Sequence, residues 1–210
     1  EHFKTLLTFL SHVAGCYPDT KEEFPHLLMG LLSKEAATMN PSLRRTLIQG
    51  LLLLRKHAAI DLLALLELFF RLLRLHDKAL REYLNEAIVG EIVRANKPHK
   101  NNALNKSLQN FMYGLFGELS ASGAVSEEEG AAANKILEIV IELYRKGVWN
   151  DARTVNVIAD AAVRRISAKV LTTSLSFFLG RFRGRSLAIS DEPADSDEDE
   201  SYQELLYRQQ

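Results

Sequence analysis

The residues best suited to bind a partner lie between Lys97 and Gln109. In the run KPHKNNALNKSLQN, Lys97, Lys100 and Lys106 supply cations and His99 an imidazole. Asn101, Asn102 and Gln109 add amide donors and acceptors, and no carboxylate occurs between Glu91 and Glu118. Pro98 stops the preceding helix near Asn96, so Lys97, His99 and Lys100 precede the N-terminus of the next helix. Unpaired first-turn amides, the positive end of a helix dipole and cations together suit a phosphate. The same residues also suit a solvated turn with amide caps, and composition alone leaves the two readings balanced. Along the helix, Leu104, Leu108, Phe111 and Leu115 form an apolar stripe widened by Met112 and Leu119. Asn102, Lys106, Gln109 and Tyr113 recur on a second, polar face.

Two further stretches could carry a surface. In ELYRKGVWNDARTVNVIADA, residues 142–161, Gly147 suits a helix C-terminal cap and Asn150 or Asp151 the next N-cap. Trp149 is expected to fold over the joint between the two helices. Val155, Ile158, Ala162 and Ile166 read as the inner stripe, leaving Arg153, Asn156, Asp160 and Arg164 outside. This is a structural turn whose outer stripe is also a candidate partner surface. Residues 161–190 then hold Arg164, Arg165, Lys169, Arg181, Arg183 and Arg185 without an acid. Phe182, between two arginines, would allow stacking plus charge, as RNA contacts use. The alternative is self-neutralisation by the acidic run that follows.

Catalytic chemistry finds no support. The chain has no Gly-rich phosphate loop and no HExxH, CxxC or GxSxG pattern. His2, His12, His26, His57, His76 and His99 lie far apart and pair with no cysteine at ligand spacing. Glu22-Glu23 and Glu127-Glu128-Glu129 sit near helix starts, where negative charge favours the dipole. The sequence points away from an enzyme, a cofactor and a small-molecule substrate. The single cysteine, Cys16, cannot form an internal disulfide, which suits a reducing compartment, and is expected to be a small buried hydrophobe.

Helices must position these groups. Apolar periodicity predicts them ending near Tyr17-Pro18 from Phe3, then over 22–32, 41–55, 62–75, 78–95, 103–119, 128–146, 152–166 and 169–179. Pro25 is expected in the first turn of the second, where no amide is needed. Asn40, Asp61, Asp77 and Asp151 stand at N-cap positions. NPSLRRTL at 40, DKALREYL at 77 and NNALNKSL at 101 each put Leu three and seven places after the cap, and DARTVNVI at 151 is a looser copy. A period near 40 built from two helices suits a HEAT/ARM-like α-solenoid of stacked helical hairpins, all-α. The helix from Leu62 is apolar nearly all round and should be clamped inside the stack.

The 210 residues divide into a solenoid over 1–180, a basic then acidic disordered linker over 181–200, and a possible short docking helix over 201–210. Overall there are 26 bases and 27 acids; the last twenty residues hold eight acids and one base. Residues 1–190 therefore hold 25 bases and 19 acids, a net of +6. The division hints at a charged partner for the body and an interaction tail. No stretch is apolar enough to span a membrane: Asp61, Glu67, Arg71 and Arg74 interrupt the greasiest segment.

HVAGCYP, LLELFFRLLRLHDKALREYL, HKNNALNKSLQNFMYG, IELYRKGVWNDARTVNVIADA and FFLG resemble the N-terminal region of the SDA family, named for severe depolymerisation of actin. The resemblance covers most of residues 1 to about 180 and the acidic run. It implies a HEAT-like solenoid and a non-enzymatic role in large (60S) subunit assembly and nuclear export, in nucleolus and nucleoplasm. Implied partners are pre-60S particles: ribosomal RNA, ribosomal proteins, other assembly factors and the 5S ribonucleoprotein neighbourhood. It also implies longer chains, with residues before Glu1 and a further C-terminal region. SASGAVSEEEGAAANK resembles a lengthened loop, and RFRGRS departs from a more acidic approach to the tail, so the resemblance does not support basic contacts after Gly180.

Overall fold

Short connections decide the architecture. The computed structural model describes residues 2–121, 126–164 and 166–181. Among them are nine α-helices: α1 His2–Val13, α2 Pro18–Glu35, α3 Pro41–Lys56, α4 Leu62–Leu72, α5 Lys78–Asn96, α6 Asn102–Ala121, α7 Glu127–Arg145, α8 Ala152–Val163 and α9 Ala168–Phe178. From α2 onward each connection has four to six residues, which obliges successive helices to reverse direction. Along one row α1 packs on α3, and α5 on α7 and α7 on α9; along the other, α2, α4, α6 and α8 pack in order. The product is the two-layered α-solenoid that the sequence period predicts.

The predicted caps close these helices. Side-chain oxygens of Asn40, Asp61, Asp77 and Asp151 accept from the amides of Ser42, Ala64, Leu80 and Thr154. Gly147, at φ +69, ends α7 in the left-handed conformation that favours glycine. Beyond it the amides of Val148 and Trp149 both donate to the Leu143 carbonyl, at 3.1 and 3.2 Å. Trp149 is fully buried at this joint, as its position predicts.

The core runs the length of the stack. Leu62, Leu65, Leu66, Leu68, Phe69, Phe70 and Leu72 of α4 are all buried, and α4 touches α2, α5 and α6. Phe70 meets Phe111 of α6 with ring centroids 6.1 Å apart. Rows are also tied by polar groups: buried Arg44 of α3 bonds Asp77, the cap of α5, at 2.9 Å, and Arg45 lies over the Tyr83 ring.

Several expectations are corrected. α2 begins at Pro18, which takes the first-turn role; Pro25 is buried in the helix interior. Cys16 is exposed, because its place at the end of a single 3-10 turn after α1 faces solvent. The inner stripe of α8 is Thr154, Val157, Ile158 and Ala161, one step from the predicted Val155 and Ala162, which are half-buried. At the offset position the Thr154 hydroxyl is held inward by Asp151 and by Gln109 of α6. α6 likewise buries Leu108, Met112, Leu115 and Phe116, with Leu104 and Phe111 at the edge. Of the supposed lengthened loop, Glu127 onward is α7, opened by a capping box between Ser126 and Glu129. Arg165, Phe182, Arg183, Arg185, the acidic run and the 201–210 docking helix lie outside the described residues.

Candidate functional site

The N-termini of α6 and α8 lie side by side at one edge of the solenoid, and most predicted contact residues collect there. Asn101 caps α6: its Oδ1 accepts from the Leu104 amide at 3.1 Å. The Asn101 amide donates to Asn96 Oδ1 at 2.9 Å, and Asn96 exchanges two amide bonds with Asn105, at 3.0 and 2.8 Å. Asn105 is buried. These bonds fasten the turn holding Lys97, His99 and Lys100, all three exposed. The Asn102 amide donates to the Lys100 carbonyl, leaving the Asn102 side chain outside.

Side chains then bridge α6 and α8. Lys100 Nζ donates to Asn150 Oδ1 at 3.0 Å. Arg153 Nη1 donates to Asn110 Oδ1 at 2.7 Å. Gln109 Nε2 donates to the Asp151 carboxylate and to Thr154 Oγ1, the latter at 2.9 Å. Gln109 is 3% exposed, so it belongs to this tie and not to the outer face the sequence suggested. Burial alone would raise the Asp151 pKa. Bonds from the Thr154 amide and hydroxyl and from Gln109, with the Lys100 charge nearby, outweigh that and hold it below the usual aspartate range. The Asp151 carboxylate is thus saturated, while Lys97, His99, Lys100, Lys106, Arg153 and Asn156 stay exposed.

Arg164 is not part of the exposed group. It pairs with Asp160, its guanidinium lies 5.3 Å from the Tyr113 ring centre, and both charged partners are half-buried. The Asp160 bond is the main reason its pKa is raised. Helix orientation brings to the same edge cations that sequence spacing did not single out: Arg55 and Lys56 end α3, Arg94 ends α5 and Arg145 ends α7. Their legible signal is position, one or two cations in the last turn, where they favour the dipole. Of these, Arg94 pairs with buried Glu91. At the opposite edge, acids are bonded across the row: Arg74 lies 3.5 Å from Glu129, and the His76 ring bonds Glu128.

The six histidines are exposed, and the described residues contain no group of three or more potential metal ligands from His, Cys, Asp and Glu. Among them, no helix is long and apolar enough to cross a membrane. The arrangement offers cations, amide groups and helix N-termini, so it can hold an anionic surface by charge and hydrogen bonds.

Comparison with known proteins places this architecture. The model of the family described as "SDA1, HEAT repeat" matches residues 9–210. The protein SDA1 homolog of Nematostella vectensis is 43% identical over 197 residues, 94% of this chain and 27% of that protein. The homolog of Xenopus tropicalis is 42% identical over 181 residues, 86% and 25% respectively. That of Dictyostelium discoideum is 37% identical over 204 residues, 97% and 25%. The chain thus spans about a quarter of the length of these curated relatives. With a matching family model over nearly its whole length, a stacked-helix fold and these relatives, the chain belongs to the SDA1 HEAT-repeat family.

Proposed function

We propose that this solenoid is part of a non-catalytic scaffold in large ribosomal subunit biogenesis and nuclear export. It would hold a pre-ribosomal particle in the nucleolus and nucleoplasm, through the cationic edge where α6 and α8 begin. One observation carries the placement: Lys97, Lys100, Lys106 and Arg153 are exposed together while Asp151 beside them is saturated by Gln109 and Thr154. Membership of the SDA1 family, and the resemblance that implies such particles, support the rest. Phosphate contacts of this kind weaken as salt rises, because counterions are released on binding. Reversing Lys97, Lys100 and Lys106 to Glu should reduce co-sedimentation with the precursor particle, most at low salt, and should flatten its salt dependence. Unchanged co-sedimentation refutes the placement. Nuclease treatment should release the chain; retention after complete RNA loss would instead identify a protein-only adaptor that grips partner helices.

A further inference from the structure

The surface between α1 and α3 carries a trough that meets the cationic edge only at Lys56. Two adjoining open pockets of about 480 and 340 Å³ share Thr8, His12, Thr46 and Gln49. Their floor is where α1 and α3 approach most tightly: a Cβ on Gly50 would stand 2.7 Å from Ser11 Oγ. His12 and Lys56 rim the trough, Phe9 is 60% exposed beside it, and Leu52 and Leu53 line it further along. His12 donates through Nδ1 to the Thr8 carbonyl at 2.8 Å, which fixes its ring and leaves Nε2 as its second polar atom. No lining residue is acidic.

The chain holds a segment of complementary character. Residues 191–200, DEPADSDEDE, contain seven acids and no base, and Tyr202, Leu205, Leu206 and Tyr207 follow within seven residues. Acid followed by apolar matches a trough with a lysine and an imidazole on its rim and an apolar wall. The cationic edge of α6 and α8 offers charge without such a wall. The end face of α9, with Leu175, Phe178 and Leu179 exposed, is where a following helix of a longer chain would stack. Reach is sufficient. α3 and α9 run in the same row and direction, so the chain leaves α9 at the edge where Lys56 ends α3. Three interhelical steps of about 10 Å separate them, and ten extended residues span about 33 Å.

We infer that residues 191–207 dock into the α1–α3 trough, their carboxylates on His12 and Lys56 and their apolar side chains against Phe9, Leu52 and Leu53. The inference stands independently of the role assigned to the cationic edge.

The one cysteine provides the test, since Cys16 is exposed just beyond α1. A nitroxide is attached there in the whole 15N-labelled chain, and paramagnetic broadening of the amides of 191–207 is read by NMR. Broadening is expected at low salt. It should be lost in the His12→Glu, Lys56→Glu double variant, whose folding is checked by circular dichroism. It should return when Asp197, Glu198 and Glu200 are also changed to Lys. Absent broadening, or broadening indifferent to the rim charges, overturns the inference. So does equal broadening in a mixture of a spin-labelled chain and a separate 15N chain, which would put the tail on a second copy.

Discussion

Asp151 does two jobs with one carboxylate. It caps α8 through the Thr154 amide and binds α6 through Gln109. Asp77 repeats the device: one oxygen caps α5 at Leu80, the other meets Arg44 of α3. A hydrogen bond to an ionised acceptor contributes about 1.5–3 kcal/mol, so Gln109→Ala should lower unfolding free energy by about that much in urea. Gln109→Glu should be worse at neutral pH, because two carboxylates then face each other, and should recover part of its loss in acid. The wild-type tie has its own pH dependence. The folded-state pKa of Asp151 lies below the ordinary aspartate value, so its stabilisation is present above that ordinary value, about 3.9. It is lost as pH falls toward the folded-state value. Asp151→Asn should therefore flatten the acid limb of the stability curve, measured by urea unfolding at successive pH values. The cap at Asp151 was legible from its place ahead of an apolar stripe. Its bond to Gln109 was not, because 42 residues separate them and only the packing of α6 on α8 brings them together.

At the level of helices, close approach sets the limits. Gly50 lets α3 sit against Ser11 of α1. Gly50→Ala gains helix propensity, about 1 kcal/mol, but forces Cβ into the Ser11 hydroxyl; overpacking typically costs about 1–3 kcal/mol. The single variant should lower Tm. Adding Ser11→Ala should restore much of it, since the next atom, Ser11 Cβ, lies at 3.6 Å. If the double variant melts no higher than the single, the clash is not the cause. Helix existence and caps follow from periodicity and capping chemistry, which are local. The one-residue offset of the α6 and α8 stripes was not legible. A polar side chain such as Thr154, Asn105 or Gln109 turns inward only when a partner helix offers it hydrogen bonds. Pro25 misled for a related reason: Pro18 was free to open α2, so the later proline did not have to.

Across the whole molecule, stability follows position in the stack. Each helix pair touches only its neighbours, so opening propagates from the ends. α4 and α7 bury most of their length, whereas α1 leaves Phe3, Leu6 and Phe9 more than half exposed and α9 leaves Leu175, Phe178 and Leu179 exposed. Amide hydrogen exchange should therefore be slowest in α4 and α7 and fastest in α1 and α9. Uniform protection along the chain would contradict this one-dimensional picture.

The sequence by itself determined that the described residues are all-helical, where most of the helices lie, which residues cap α3, α4, α5, α6 and α8, and that they repeat in pairs. Those properties depend on neighbours three to seven residues apart, which any reader of the sequence can see. The tertiary structure alone decided which polar residues face outward. It turned Gln109 and Asn105 into ties, committed Arg164 to Asp160 and Tyr113, and gathered the cations ending α3, α5 and α7 at the edge of Lys97 and Lys100. That assignment depends on which helices lie in the same row and direction, and on partners tens of residues away whose bonds offset the loss of water.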